Sequence, residues 1–283
     1  MNKIILSADS ICDLNQELIK DHNVNTTPYT IIIGENMYKD NVDISPSDIY
    51  KAYSENKILP KTTSINVGEY YDYFKPWIDD GYEVIHITLA SVLTSSYNNC
   101  TLAAEALDGV YTLDSQNLSV GTGLLVIKAA ELIKEGLSAK EIIEELEKHR
   151  EKIHMSFILN TLDFLHAGGR CSKIASLGSN ILKIKPVINV DNSSGSMSLG
   201  NKYRGSLDRS ILRYIKNKLS TYDNINEERI FIVHSGIDES YIEIAKNTIS
   251  EMMDFKEIHV TTASCTISSH CGPNTLGISF ETK

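Results

Sequence analysis

The chain has 283 residues, with 27 Lys+Arg against 37 Asp+Glu and a formal net charge of −10. With 42% apolar and 23% charged residues, it has the balance of a globular protein rather than a disordered or fibrous one, and the length of one large or two ordinary domains. A pI near 5.3 argues against a general nucleic-acid binder, which needs a basic stripe, and against adhesion to anionic lipid surfaces.

Ile4–Ser7 is a short apolar run closed by Asp9-Ser10, a strand ending in a polar turn; it is too short for the core of an export signal. Leu14, Leu18 and Ile19 recur at helical spacing. Tyr29–Ile33 and Met37–Val42 flank Gly34-Glu35-Asn36 as a hairpin. Ser45-Pro46-Ser47-Asp48 opens a helix, with Ser as cap and Pro at the first helical position, and Tyr70, Tyr71, Phe74 and Trp77 suit another. Val84–Ile87 and Val110–Leu113 are further strands, with helices at Cys100–Leu107 and Leu124–Ile133 and a capping box at Ser138–Glu141. Strand and helix patterns alternating in this way imply βαβ units and a parallel sheet. After about residue 150 hairpin signals mix with helices. Phe157–Leu159 and Ile181–Ile184 are apolar, and Pro186–Val190 and Met197–Leu199 flank a polar turn at 192–195. Ile211–Leu219 and Ile242–Met252 read as helices, and Ile230–Val233, Ile258–Thr261 and Ile278–Phe280 as strands. The expected architecture is α/β in two domains: an N-terminal Rossmann-like parallel-sheet domain with a small hairpin insertion over 1–150, and a C-terminal α+β two-layer domain over 151–283.

Two stretches, Val84–Ala104 and Ile258–Phe280, carry no Asp, Glu, Lys or Arg. Both are long enough to span a bilayer but are too rich in Ser, Thr, Asn and His to do so. The five cysteines (Cys12, Cys100, Cys171, Cys265, Cys271) form no Cys-x-x-Cys pair and read as reduced thiols. Cys265, His270 and Cys271 lack a fourth ligand at matching spacing, so no metal is expected. P-loop, His-Glu-x-x-His and Gly-x-Ser-x-Gly motifs are absent. Gly121-Thr122-Gly123 starts a dinucleotide fingerprint whose third glycine position holds Val126, and reads better as a strand-to-helix turn.

Four segments can carry chemistry. Hydroxyls in Pro60–Glu69 and in Ala90–Ser96 suit helix caps or ligand donors, and the second segment lies at the carboxyl end of a parallel strand, where ligands bind. Leu165-His166-Ala167-Gly168-Gly169-Arg170 ends a helix with Arg on the surface, or aims a cation at a ligand. Ser268–Asn274 places His270 on a Gly-Pro turn, as a structural hydrogen-bonder, a ligand donor or a general base.

Together, Asp9-Ser10, Thr62–Asn66, Ala90–Ser96, Gly168-Gly169-Arg170, Ile184-Lys185-Pro186, Arg204-Gly205 and His270–Asn274 resemble, in order along the whole chain, the landmarks of the DegV family of bacterial fatty-acid-binding proteins. Thr63, Ser64, Ile65 and Asn66 depart from the family's Ser-Gln-Pro-Ser, Thr94-Ser95-Ser96 from its Ser-Gly-Thr, and Asn274 from a glycine. The resemblance implies a ligand between the two domains: a long-chain fatty acid in a buried tunnel, its carboxylate met by Thr62 and Thr94, with Arg170 and His270 supporting the carboxylate or an acyl-phosphate head. Thr63, Ser95, Ser96, Gly169 and Gly272 are implied pocket neighbours. It further implies a carrier that presents the acid to a fatty acid kinase, with no catalytic residue, metal or other cofactor, and Lys202 and Arg204 as candidate kinase contacts. A cytoplasmic monomer is expected, since no long heptad is evident. The physics fits: about 14 buried methylenes at ~0.8 kcal/mol each give a gross drive of roughly 11 kcal/mol, reduced by ordering and association. Hydroxyls satisfy a buried carboxylate without adding charge, Arg supplies a planar fork, and a protonated His adds a donor. The rival reading is a hydrolase or transferase using His270 as base on Thr62, Thr94 or Ser95; a third is an interaction protein without ligand.

Overall fold

The computed structural model describes residues 3–170 and 184–283; Cys171 and Ile181–Leu182–Lys183 of one expected apolar run lie outside the described residues. β1 (Ile4–Asp9) passes through a 3-10 turn at Ser10–Cys12 to α1 (Gln16–Asp21) and β2 (Val24–Thr27). Next come β3 (Thr30–Ile33), β4 (Asn36–Lys39), α2 (Pro46–Asn56), β5 (Lys61–Thr63) and α3 (Val67–Asp79). β6 (Glu83–Thr88), α4 (Ser96–Glu105), β7 (Val110–Asp114), α5 (Val120–Glu135) and α6 (Ala139–His149) complete the first half. The second half runs β8 (Ile153–Ile158), α7 (Asp163–Gly168), β9 (Ile184–Val190), β10 (Met197–Arg204), α8 (Leu207–Leu219), β11 (Ile225–Ser235), α9 (Glu239–Met252), β12 (Glu257–Thr262), α10 (Cys265–Cys271) and β13 (Thr275–Thr282).

The first sheet is parallel, in the order β2-β1-β6-β7, as the alternating pattern implies. Its connections diverge between β1 and β6. The crevice for a ligand in such a sheet therefore lies beyond Asp9 and Thr88, at the carboxyl ends of those two strands. The second sheet has the order β10-β9-β8-β13-β11-β12 and is antiparallel except between β11 and β12. Its two faces follow the period of two. Ile230, Ile232, Ile278 and Phe280 pack in a core with α8 and α9, while Met155, Phe157, Phe231 and Val233 join the core of the first half.

The hairpin is present, but its arms are Thr30–Ile33 and Asn36–Lys39: Asn36 pairs with Ile33, leaving a two-residue loop with Gly34 at φ +62. A third strand, β5, adds to it through Thr62↔Ile31; three residues without an apolar alternation carry no strand signal of their own. Ser45 starts α2 as expected, with the Asp48 carboxylate accepting its backbone N–H at 2.9 Å. Gly121 and Gly123 sit in the first turn of α5, where a Cβ on Gly123 would lie 2.6 Å from the Cys12 carbonyl oxygen. These glycines serve close packing of helix on turn rather than a nucleotide. The two charge-free stretches fold into β6 and α4, and into β12, α10 and β13; no helix among the described residues is long and apolar enough to cross a membrane.

The main departure from the sequence reading is α10, which holds His270 in its last turn, immediately before the expected Gly-Pro turn. Its Ser, Thr, Cys and His residues are weak helix formers; Ser264 caps it locally by accepting the Ile267 N–H, and further capping groups come from far away in the chain. Asp13 Oδ1 accepts the Ser264 N–H at 2.9 Å, and Asp40 accepts those of Cys265 and Thr266 at 2.8 and 3.3 Å. Two carboxylates of the first half thus satisfy N–H groups that a helix start leaves unpaired, at the end of the dipole that favours negative charge.

Gly123→Ala should cost about 1–3 kcal/mol in urea unfolding, because the obstacle is a backbone oxygen. Burial raises the Asp13 carboxyl from 3.8 to about 7, against the lowering effect of its Ser119 and Ser264 hydrogen bonds. The folded state therefore holds a proton that the unfolded chain releases. This contribution to stability is fully present below pH 3.8 and is lost as pH rises to about 7. Relative to Asp13→Asn, the wild type should lose about 1.4 kcal/mol per pH unit across that window; parallel stability profiles would contradict the assignment.

Candidate functional site

Between the β1/β6 end of the parallel sheet and the inner face of the second sheet lies a cavity that opens to solvent. Leu118, Met155, Phe157, Met197, Val233 and Ile267 supply apolar wall, and Thr62, Ser64, Thr94, Ser95, Arg170 and His270 supply polar groups. The four candidate head-group residues, Thr62, Thr94, Arg170 and His270, share this one cavity although 208 positions separate the first from the last.

β5 and α10 bring Thr62 and His270 together, with Oγ1 and Nε2 2.9 Å apart. The imidazole fits because residue 168 is glycine: a Cβ there would stand 2.2 Å from His270 Nδ1. Nδ1 is buried and has no hydrogen-bond partner among the described residues. An orphaned buried N–H is rarer than an unpaired acceptor, so the network places the ring proton on Nε2, where it is donated to Thr62 Oγ1. The Thr62 hydroxyl proton is then free for a ligand. Burial, followed by the charge of Arg170, lowers the His270 pKa to about 4. His270 is thus neutral near pH 7 and lacks the second donor that protonation could add, because burial and the nearby Arg170 disfavour its cation.

Arg170 is exposed at the wall, and its Nη1 donates to the Gly168 carbonyl at 2.7 Å. Gly169 ends α7 at φ +65, the left-handed conformation that glycine adopts without strain. The Gly-Gly-Arg run therefore has three duties: room for His270, a helix stop and a cation. Thr94 Oγ1 lies 3.2 Å from Ser96 Oγ and accepts the Ser96 N–H at 3.3 Å.

Of the expected neighbours, Ser95 lines the cavity, whereas Thr63, Ser96, Gly169 and Gly272 do not. Thr63 follows Thr62 on a strand and is exposed, as the period of two requires. Ser96 is buried behind Thr94, and Gly272, at φ +72, packs against Phe164, 2.7 Å from where its Cβ would stand. Ser95 has ordinary angles (φ −80, ψ 0) and donates to Ser64 at 2.8 Å, so this position needs no glycine and ties two segments of the wall together. Asn274 adopts φ +59, a conformation that Asn tolerates better than most residues.

Sequence reasoning missed Tyr29, Ser119 and Thr266, all on the wall. Tyr29 donates its hydroxyl to Asp9 Oδ2 at 3.1 Å; Asp9 also accepts from the Tyr70 hydroxyl at 2.6 Å and the Leu89 N–H at 3.1 Å, and lies 3.1 Å from His86 Nε2. Burial, then the Asp9 charge, pushes the Tyr29 phenol well above its usual range. The Asp9-Ser10 landmark thus anchors the wall from beneath. Ser119 holds φ 53, ψ −138, a strained region for a residue other than glycine, and donates to Asp13. Several hydroxyls of the second charge-free stretch donate to backbone, as Ser269 to Cys265 O at 2.7 Å and Thr275 to Cys271 O at 3.0 Å, and of these two only Thr275 also lies on the cavity wall. Burial pushes the Cys271 thiol up to about 12, which removes it as a nucleophile at neutral pH. No group of three His, Cys, Asp or Glu side chains able to hold a metal occurs among the described residues.

The family model for DegV, described as a family of uncharacterised proteins, matches residues 3–283. A DegV domain-containing protein of Caldanaerobacter subterraneus subsp. tengcongensis is 32% identical over 287 residues, covering 100% of both chains. One from Staphylococcus aureus is 30% identical over 280 residues, 98% of each. Among solved structures, a fatty-acid-binding DegV family protein from Thermus thermophilus has a TM-score of 0.89 at 25% identity, over 99% of this chain and 100% of that one. A stearic acid-binding protein from Eubacterium ventriosum has a TM-score of 0.84 at 25% identity, over 100% and 99%. The match runs through both sheets and every segment that builds the cavity: the chain belongs to the DegV family.

Proposed function

We propose that this protein binds a long-chain fatty acid in the cavity and presents its carboxylate to a fatty acid kinase for acyl-phosphate formation, acting as a carrier. The observation that carries the reading is the joining, in one cavity, of an apolar wall with the Thr62–His270 pair, Thr94 and Arg170. The fatty acids bound by the Thermus and Eubacterium relatives support it. In this reading the Thr62 hydroxyl, its oxygen already engaged by His270, donates to the carboxylate, and Thr94 offers a second hydroxyl. Arg170 is the cation a doubly charged acyl-phosphate head needs. We also keep the domain divide near residue 150, between α6 and β8.

The hydrolase reading has one point in its favour, since 2.9 Å between Thr62 Oγ1 and His270 Nε2 is a nucleophile–base distance. His270 Nδ1, however, has no carboxylate to orient it among the described residues, and this observation favours the carrier.

Lipid extracted from the purified protein should contain one C14–C18 fatty acid per chain by mass spectrometry; an empty protein that turns over esters would favour the enzyme. Gly168→Ala should push His270 off Thr62 and weaken fatty-acid binding about tenfold, a change of ~1.4 kcal/mol, measured by calorimetry. Arg170→Ala should retain fatty-acid binding but impair acyl-phosphate formation in a reconstituted kinase assay, where turnover at the wild-type rate would refute the role given to Arg170.

A further inference from the structure

Helix α10 is gripped at both ends by the same three-stranded sheet. Asp40, immediately after β4, is 1% exposed and is tied to the sheet by its own N–H, which donates to Tyr29 O at 2.9 Å. Its Oδ1 accepts the Cys265 N–H at 2.8 Å, and its Oδ2 accepts the Thr266 hydroxyl at 2.7 Å, the Thr266 N–H at 3.3 Å and the Ser10 hydroxyl at 3.0 Å. At the other end of the helix His270 meets Thr62, which lies on β5 of that sheet. A seven-residue helix offers little room for the two attachments to move independently. We propose that Asp40 is a positioning residue for the carboxylate site: it fixes α10 at the height where His270 Nε2 reaches Thr62 and leaves the Thr62 hydroxyl facing the ligand.

This inference rests on the fatty-acid reading above, and it assigns a purpose to a buried carboxylate that does not itself line the cavity but is bonded to two residues that do, Thr266 and Tyr29. Asp40→Asn is the informative variant. Either orientation of the amide turns its NH₂ toward a backbone N–H, that of Cys265 or that of Thr266, so one bond of the cap is lost without a change of volume. Two quantities are measured: the ¹⁵N signals of the His270 ring in the ligand-free protein, and the ratio of affinities for stearic acid and stearyl alcohol. Asp40→Asn should move the Nε2 signal and lower the acid-to-alcohol ratio about tenfold, with alcohol affinity held within about twofold. An unchanged ring signal and an unchanged ratio would overturn the inference. If the wild type itself does not prefer the acid, the fatty-acid reading fails, and the ring signal alone decides the role of Asp40. If Asp40→Asn does not fold, Ser10→Ala removes one bond to Asp40 and should lower the ratio about threefold; no change in ratio or ring signal would again overturn the inference.

Discussion

The fold depends on the capture of α10 by carboxylates from the other half of the chain. A seven-residue helix is marginal in water, and buried carboxylates are costly unless hydrogen-bonded. Each offsets part of the other's cost here: Asp13 and Asp40 receive the N–H groups of the helix start, with Ser119, Ser10 and the Thr266 hydroxyl completing their shells, although burial still raises both carboxyls. The helix then projects Thr266, Ile267, His270 and Cys271 onto the cavity wall. The same contacts close the seam between the two sheets, so the joint and the binding site share their residues.

The site has a consistent electrostatic design. In the proposed reading, a chain with net charge −10 receives a single anion among hydroxyls, a neutral imidazole and one exposed guanidinium. His270 is kept neutral by burial and by Arg170, which confines the cationic charge to the wall position that solvent also reaches. Beneath the wall, Asp9 gathers Tyr29, Tyr70 and the Leu89 N–H, fixing the carboxyl ends of β1 and β6 where the sheet connections diverge. The strained Ser119 lies beside this arrangement, held by its bond to Asp13.

Much of this was legible in the sequence where local signals dominate. β1 and β6 follow from apolar runs, α2 and α6 from the caps at Ser45 and Ser138, and the parallel sheet from alternation. The resemblance named Thr62, Thr94, Arg170 and His270, each with its landmark motif, and the fold lines one cavity with all four. What local reading could not supply is tertiary in origin. β5 is a strand because β3 lies beside it, and the start of α10, capped locally by Ser264, is completed by Asp13 and Asp40 across more than 220 positions. The neutral state of His270 depends on burial that no spacing reveals, and the need for glycine at 168 on a ring 102 positions further along the chain. Ser96 and Gly272 belong to the right motifs but act behind the wall, since a motif marks a segment and not the direction of each side chain.

The central claim is that Thr62, set by His270, receives a fatty-acid carboxylate in this cavity. The most direct measurement is the ¹³C spectrum of carboxyl-labelled palmitic acid added to the protein at equal concentration. The account predicts one narrow bound carboxyl resonance in the wild type, displaced in Thr62→Val while the acid remains bound. A carboxyl signal that keeps the position of the free acid, or a bound signal identical in the two proteins, would contradict it.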